Sequence, residues 1–337
     1  MNDSRNHWLC SRSAFRVLVF TCVWAGLARA QTCLTASDMD EPTRTALVST
    51  ATRYFDMAAR GDSASLKQNS IASVAADFSG IETAVKDNQS SFSGVKPEPR
   101  SPFLLKAEGK VPIERAEFLC GVFGANGQTA NSAEFVIPNL PPGDYGVIPL
   151  DVSSAKGPYV VTFVLQQQGS DWKIGGFYVN APVKGHDGKW FAGQARAFKA
   201  KGADHNAWFY YLQARQLLVP VPFMDTQATD NLDDEFQSTK PADLPGPNTV
   251  DLSAAGKTYK LTALFPLAVG QDLDLVVKYQ SADVSNTAQT FEENAKVMKA
   301  LVAKYPEFRD AFDGVVARAV EPSGRDYGSL LPMKDIK

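Results

Sequence analysis

Histidine and cysteine are scarce in this chain: its 337 residues include three of the first and four of the second. That scarcity leaves little for a metal centre. His186-Asp187 and Asp204-His205 stand at a turn and a helix start, without the spaced partner ligands that zinc takes. Asp233-Asp234-Glu235 lacks the alternating oxygens and central glycine of a calcium loop. Neither Cys33 nor Cys120 has a histidine nearby in sequence, which argues against a cysteine nucleophile. A Gly-rich phosphate loop, a dinucleotide turn and a Gly-x-Ser-x-Gly elbow are all missing. No metal and no cofactor is therefore expected. Positive charge is also short, with 34 Lys and Arg against 37 Asp and Glu. Residues 1–30 carry four Arg and one Asp, and setting them aside leaves 30 against 36. That balance gives no support to a nucleic-acid partner or an anionic membrane surface.

Long apolar runs are missing too. The run Val17–Leu27 falls far short of the ~20 residues that a membrane-crossing helix needs. Arg5, Arg12 and Arg16 precede it and Ala28-Arg-Ala30 follows, the pattern of a secretory signal cleaved after Ala30. A lipoprotein site fits less well, because Gln31 and Thr32 stand before Cys33 where small residues belong. The expected location is secreted or periplasmic, with no transmembrane segment once the signal is removed. Cys10 and Cys22 leave with the signal, so the exported chain keeps Cys33 and Cys120. An even count in an oxidising compartment favours a disulfide between them, and two free thiols are the alternative.

Length makes two domains the prior, and 44% hydrophobic with 21% charged residues is ordinary for a folded protein. The clearest local signal is Tyr159–Val179, two runs of β-branched and aromatic residues around Gln168-Gly-Ser-Asp171. Gly169 suits the first position of a two-residue type II′ turn. That turn sets a register in which Leu165 faces Ile174, Gln167 faces Trp172, Phe163 faces Gly176 and Val161 faces Tyr178. Tyr159, Val161, Phe163, Leu165, Trp172, Ile174 and Tyr178 then form an apolar wall, while Thr162, Gln166 and Lys173 lie on a mixed face.

Ahead of the hairpin, Leu47, Ala51, Tyr54, Phe55 and Ala58 recur at helical spacing and predict a helix over 42–59, closed by Gly61. Asp62 or Ser63 can cap a second segment, mostly helical over 63–92, with Leu66, Ile71, Val74, Phe78, Ile81 and Val85 inward. Residues 93–102 read as a loop, and strands are expected near 114–123, 133–137 and 144–152.

Arg53-Tyr-Phe-Asp-Met-Ala-Ala-Arg-Gly-Asp62, a helix ending in Gly-Asp, resembles the opening of the nuclear transport factor 2-like superfamily, also called cystatin-like cone folds. The hairpin with Asp171-Trp-Lys-Ile174 is similar to that family's closing strands, and Gly175-Gly176 would supply the bend or bulge that strong curvature needs. The resemblance covers roughly residues 42–182. It implies N-terminal helices across a curved antiparallel sheet, enclosing a cone-shaped pocket. Tyr54, Tyr159, Val161, Phe163, Leu165, Trp172 and Tyr178 are the candidate lining, unless they pack as plain core. Ketosteroid isomerase-like members use a helix-1 tyrosine, a carboxylate base and a protonated acid on a hairpin strand. Tyr54 matches that tyrosine by position and Asp77 lies at about the remove of the base. Tyr159–Leu165 offers no carboxylate, so the third group is lacking near Phe163.

Beyond Pro182 the pattern turns helical. Lys189–Lys201 and Asp204–Leu218 predict an antiparallel helical hairpin over 183–223, with Asp204 as cap and Pro220 and Pro222 as stops. Its dense aromatics (Trp190, Trp208, Phe209, Tyr210, Tyr211) suit a domain interface or a partner face. Residues 224–249 are polar and Pro-rich, a linker candidate. Strands at 258–267, 272–279 and 314–320 with a helix at 285–304, inward-facing at Ala288, Phe291, Ala295, Met298 and Val302, predict a small α+β domain over 250–337.

The fold class is thus α+β: helices on a curved sheet over 31–182, a helical hairpin and a small C-terminal domain. The first functional expectation is an exported, non-catalytic binding or scaffold module whose partner is a small apolar ligand or a protein. A second is a cone-fold isomerase or dehydratase moving protons on a small apolar substrate around Tyr54. A third is a subunit of an envelope assembly docked through the aromatic helices.

Overall fold

The computed structural model describes residues 31–125, 127–130, 132–237 and 239–337. The secretion signal expected in residues 1–30 lies outside the described residues. The described residues open with a four-residue strand, Gln31–Leu34 (β1), too short to show a sequence pattern. Helix α1, Glu41–Ala59, begins at Asp40, whose carboxylate accepts the Thr43 N–H at 2.7 Å. Its expected inward positions Leu47, Ala51, Tyr54, Phe55 and Ala58 are all buried. Gly61 reverses the chain at φ +71°, and Asp62 caps Ser63–Gln68 (α2) through the Ser65 N–H.

The helical run expected over 63–92 is interrupted, giving α2, Ala72–Ala76 (α3) and Ser79–Phe92 (α4). A competing hydrogen-bond partner explains the first break. Asn69 accepts from the Ile174 N–H and Ile71 donates to the Ile174 carbonyl, both at 2.9 Å. The chain leaves the helix to pair with a sheet edge that would otherwise stay open.

The strands beyond α4 are Glu98–Pro99 (β2), Phe103–Ala107 (β3), Ile113–Cys120 (β4), Phe123–Gly124 (β5), Gly127–Gln128 (β6), Ala133–Leu140 (β7), Gly143–Ser154 (β8), Gly157–Gln168 (β9) and Asp171–Asn180 (β10). The curved antiparallel sheet runs β1-β3-β8-β9-β10, with β2 beside β8. Strand β3 lies just past the segment read as loop. The strands expected near 114–123 and 133–137 join a separate sheet, in which β7 sits between β4 and Met224–Thr226 (β11). Cys33 of β1 and Cys120 of β4 form a disulfide with their Cα atoms 5.0 Å apart, tying the two sheets together.

Both faces of the curved sheet are covered. Under the helices, Leu47, Tyr54, Phe55, Phe92, Tyr159 and Phe163 form one core. Against the small sheet, Leu105, Phe118, Phe135, Val147 and Met224 form a second.

The hairpin keeps its expected register only as far as Leu165–Ile174. Gly169 holds the turn at φ +64°. Past Ile174 a bulge at Gly175 inserts one residue, so Phe163 pairs with Phe177 rather than Gly176, and Val161 with Val179 rather than Tyr178. A one-residue shift moves every later side chain to the opposite face. Phe177 therefore takes a place beside Phe163, with ring centroids 5.1 Å apart. Tyr178 turns to the second core and meets Phe223, so it is not part of the wall assigned to it.

Helices Gly188–Ala200 (α5) and Asp204–Leu218 (α6) form the expected pair. Asp204 proves to be the first helical residue, and Ala203 holds the cap position without a side-chain bond. The stretch read as a linker contains β11 and a helix, Gln227–Gln237 (α7). Its charges are met locally, with Asp233 on Arg215 and Glu235 on Arg196, which is why so polar a segment folds.

Val250–Ala254 (β12), Lys257–Val269 (β13), Asp272–Gln280 (β14), Gly314–Val320 (β15) and Asp326–Pro332 (β16) make a five-stranded sheet in chain order. Helix Thr287–Lys304 (α8) joins β14 to the parallel β15, the length of connection that a parallel pair requires. On α8, Asn294, Val297, Met298, Leu301 and Val302 are buried, whereas Phe291 is 43% exposed. Asn294 accounts for the rotated face: its side chain bonds the Tyr279 hydroxyl at 2.8 Å and Ser329 at 2.9 Å. The aromatic helix pair and this sheet share a single core that includes Phe209, Tyr210, Tyr211, Phe308 and Phe312.

Candidate functional site

Strand β8 brings Gly146 directly beneath α1. A Cβ built there would lie 2.4 Å from Leu47 Cδ2, so the missing side chain is what lets the helix sit on the sheet. The space between them is filled. Tyr54, Tyr159, Val161, Phe163, Leu165 and Trp172 all belong to this core, and none is more than 8% exposed. Tyr54 stands with its ring 6.1 Å from Phe163. Its hydroxyl donates to the Trp172 carbonyl at 2.7 Å, and burial pushes its pKa up from the ordinary tyrosine value. Tyr159 bonds to Ser91 at 3.0 Å. Asp77 is not brought to this group. It is exposed at the end of α3, where it accepts a bond from Ser79.

A cleft of about 310 Å³ remains at the rim of the same sheet face, beside the N-terminus of α1. Leu34, Met39, Ala46, Leu104 and Trp172 supply its apolar surface, and Lys106, Asp144, Gln167 and Ser170 its polar groups. Strand register sets the polar groups in a row. Lys106 of β3 faces Asp144 of β8. Gln167 comes directly after Gln166, the partner of Tyr145, and so stands beside Asp144; Gln167 in turn faces Trp172 of β10. One step deeper along the strands come Leu104, Gly146, Leu165 and Ile174, where the packed core begins.

Among the described residues, Lys106 and Asp144 form no ion pair with each other, and the Gln167 amide makes no hydrogen bond. The charge of Lys106 acts on Asp40, the residue that caps α1. Both Asp40 oxygens accept from Thr43, backbone N–H at 2.7 Å and hydroxyl at 3.0 Å, which holds the Asp40 pKa below the usual carboxylate range.

Sequence reasoning reached Trp172 but missed Lys106, Asp144 and Gln167. The alternation in Phe103-Leu-Leu-Lys-Ala107 was a usable signal, since it puts Leu104 and Lys106 on one face of a strand. It was obscured by the Pro-rich loop beside it. Gln167 is legible from the hairpin register alone, and its relation to Asp144 needs the β8–β9 pairing.

A second depression of about 290 Å³ lies between the β5–β6 turn and α7, lined by Gln128, Gln227, Asp230 and Asp233 among others. Its carboxylates are largely committed. Arg215 takes Asp233 at 2.7 Å and nearby Asp225 at 2.9 Å, and Asp230 accepts from the Gln128 amide. Among the described residues no group of His, Cys, Asp and Glu is arranged to hold a metal ion, and no helix is long and apolar enough to cross a membrane. No protein-family model, curated protein or solved structure matches this chain.

Proposed function

We propose that this protein is an exported, non-catalytic binding module that takes a small ligand in the cleft between α1 and the rim of the curved sheet. The observation that carries the reading is the row Lys106, Asp144, Gln167, polar side chains brought together by strand register along a mainly polar cleft. Asp144 and Gln167 make no ion pair or side-chain hydrogen bond among the described residues, which leaves them available to a ligand.

Against catalysis stands the use already made of Tyr54. Its proton is donated to a backbone carbonyl deep in the core, and the carboxylate proposed to work with it is elsewhere on the surface. Export is supported by the signal pattern and by the disulfide. Helices laid across a curved antiparallel sheet also support reading residues 42–182 as a nuclear transport factor 2-like cone, here packed by its own side chains. The aromatic helix pair is buried against the C-terminal sheet, which leaves less of it for an assembly partner.

The test is a fragment screen on isotope-labelled protein by two-dimensional NMR. Compounds that shift the signals of Lys106, Asp144, Gln167 and the Trp172 indole together are expected. If no compound in a chemically broad library moves those signals, the cleft is not a ligand site and the reading fails.

A further inference from the structure

His205, the second residue of α6, is held in a way that only its charged form allows. Its Nδ1 lies 2.9 Å from Glu307 Oε1 and its Nε2 lies 2.9 Å from Asp243 Oδ1. An ionised carboxylate can only accept, so both ring nitrogens must carry a proton for both bonds to exist. Burial acts to raise the Asp243 pKa, but bonds from His205 and from the Tyr305 hydroxyl outweigh it and hold the group below the usual carboxylate range. A neutral imidazole has a single N–H, so loss of the proton leaves one carboxylate facing a lone pair. Asp243 is the partner that gives way. Its side chain is 49% exposed against 29% for Glu307, and a freed carboxylate there is rehydrated at less cost.

Separate parts of the chain meet at this ring. Asp243 belongs to residues 239–249, the connection from α7 to β12. Glu307 belongs to a short helix, Pro306–Asp310, and Tyr305, at the end of α8, has its ring centroid 4.6 Å from that of His205. Other charges nearby are turned elsewhere. Lys304 lies over the Tyr305 ring, Lys240 over the Trp208 ring, and Arg309 donates to the Met333 and Ile336 carbonyls. Asp204, beside His205 on α6, is exposed. Within the connection, Pro241, Pro245 and Pro247 have no N–H to donate, so side-chain anchors decide where it lies. They are Asp243, the buried Leu244 and Lys240 over Trp208.

We propose that His205 is a pH-operated clasp: protonated, it fastens the 239–249 strap to α6 and the Pro306–Asp310 helix, and neutral, it lets the strap move off Trp208 and Tyr305. Histidine is the side chain that ordinarily changes charge between pH 5 and 8. A chain exported as proposed above meets the pH of its surroundings directly. The clasp shares no residue with the cleft beside α1, so the two readings stand or fall separately.

The experiment is an NMR titration of the purified chain from about pH 5 to about pH 8, reading the His205 ring and the Leu244 methyl groups. With rising pH the Leu244 methyl signals are expected to move toward unstructured positions with the same midpoint as the His205 ring. The methyl of Met298, buried on α8, should stay in place. In His205→Gln, which has no titrating group at this position, Leu244 should cease to respond. Asp243→Asn, at a half-exposed position, keeps His205 and removes its charged partner. Proton binding at His205 should then weaken by about tenfold or more, a midpoint lower by about one unit. Leu244 signals that stay fixed while His205 titrates overturn the proposal. So does an undiminished pH response in His205→Gln, or an unchanged His205 midpoint in Asp243→Asn.

Discussion

Replacing Asp274 by Asn should make the protein more stable, by a margin that grows as pH rises from about 4 and is full above about pH 6. Asp274 sits on β14 opposite Gly314 of β15 and is 3% exposed. Its carboxylate has no ion pair among the described residues. Neighbouring Asp313 is already engaged, with one oxygen on Lys184 at 2.7 Å and the other on the Leu273 N–H at 2.9 Å. Burial, followed by the charges of Asp272 and Asp313, pushes the Asp274 pKa up to about 6 from 3.8, and Lys184 offsets this only in part.

Between those two values the folded state holds a proton that the unfolded chain has released. The contribution of this group to stability is therefore whole below pH 3.8 and is lost as pH rises through about 6. At ~1.4 kcal/mol per unit the full loss is about 3 kcal/mol. Solvent around the partly exposed Lys184–Asp313 pair screens the charge and reduces this to about 1–2 kcal/mol. An Asn side chain has the same shape and no charge, so Asp274→Asn should recover that amount. Urea unfolding at pH 8 should show the gain as a raised midpoint, and the difference from the parent should shrink toward zero at pH 4. An equal shift at both pH values would refute the reasoning, as would destabilisation at pH 8.

Other perturbations test the rest of the architecture. Cys33→Ser with Cys120→Ser opens a loop spanning a sequence separation of 87. The chain-entropy model then gives a loss of about 4–5 kcal/mol, read from the denaturant midpoint and mimicked by reductant on the parent chain. Gly146→Ala places a methyl group 2.4 Å from Leu47 Cδ2 and should cost about 1–3 kcal/mol, seen as a lower Tm. Tyr54→Phe leaves the buried Trp172 carbonyl without its donor and should cost about 1–3 kcal/mol; a neutral result would mean that this carbonyl finds another partner. Phe291→Ser, at an exposed position on α8, should change stability by under about 0.5 kcal/mol, whereas Met298→Ala in the same helix should cost about 2–5 kcal/mol.

Much of the architecture was legible because it depends on short-range rules. Helix α1 follows from apolar spacing, a Pro in the first turn and Gly61 after its end. The first turns of the hairpin follow from Gly169, and the α5–α6 and β13–β14–α8–β15 series from their alternation between helical and strand periods. In each case the residues that decide the conformation lie within a few positions of it. The pairing of Cys33 with Cys120 was indicated by their number and by the compartment.

The remainder was settled by partners far away in the chain. The bulge at Gly175 moves Tyr178 off the wall and Phe177 onto it, and no local signal says which of two adjacent glycines absorbs the extra residue. The helix after Gln68 stops because Ile174, more than a hundred positions later, offers backbone bonds to Asn69 and Ile71. Phe291 points outward because Asn294 must reach Tyr279 and Ser329. The cleft is the plainest instance. Lys106, Asp144, Gln167 and Trp172 come from separate strands and become neighbours only through the sheet's register. Periodicity can assign each of them to a face of its own strand, but their meeting is set by long-range pairing.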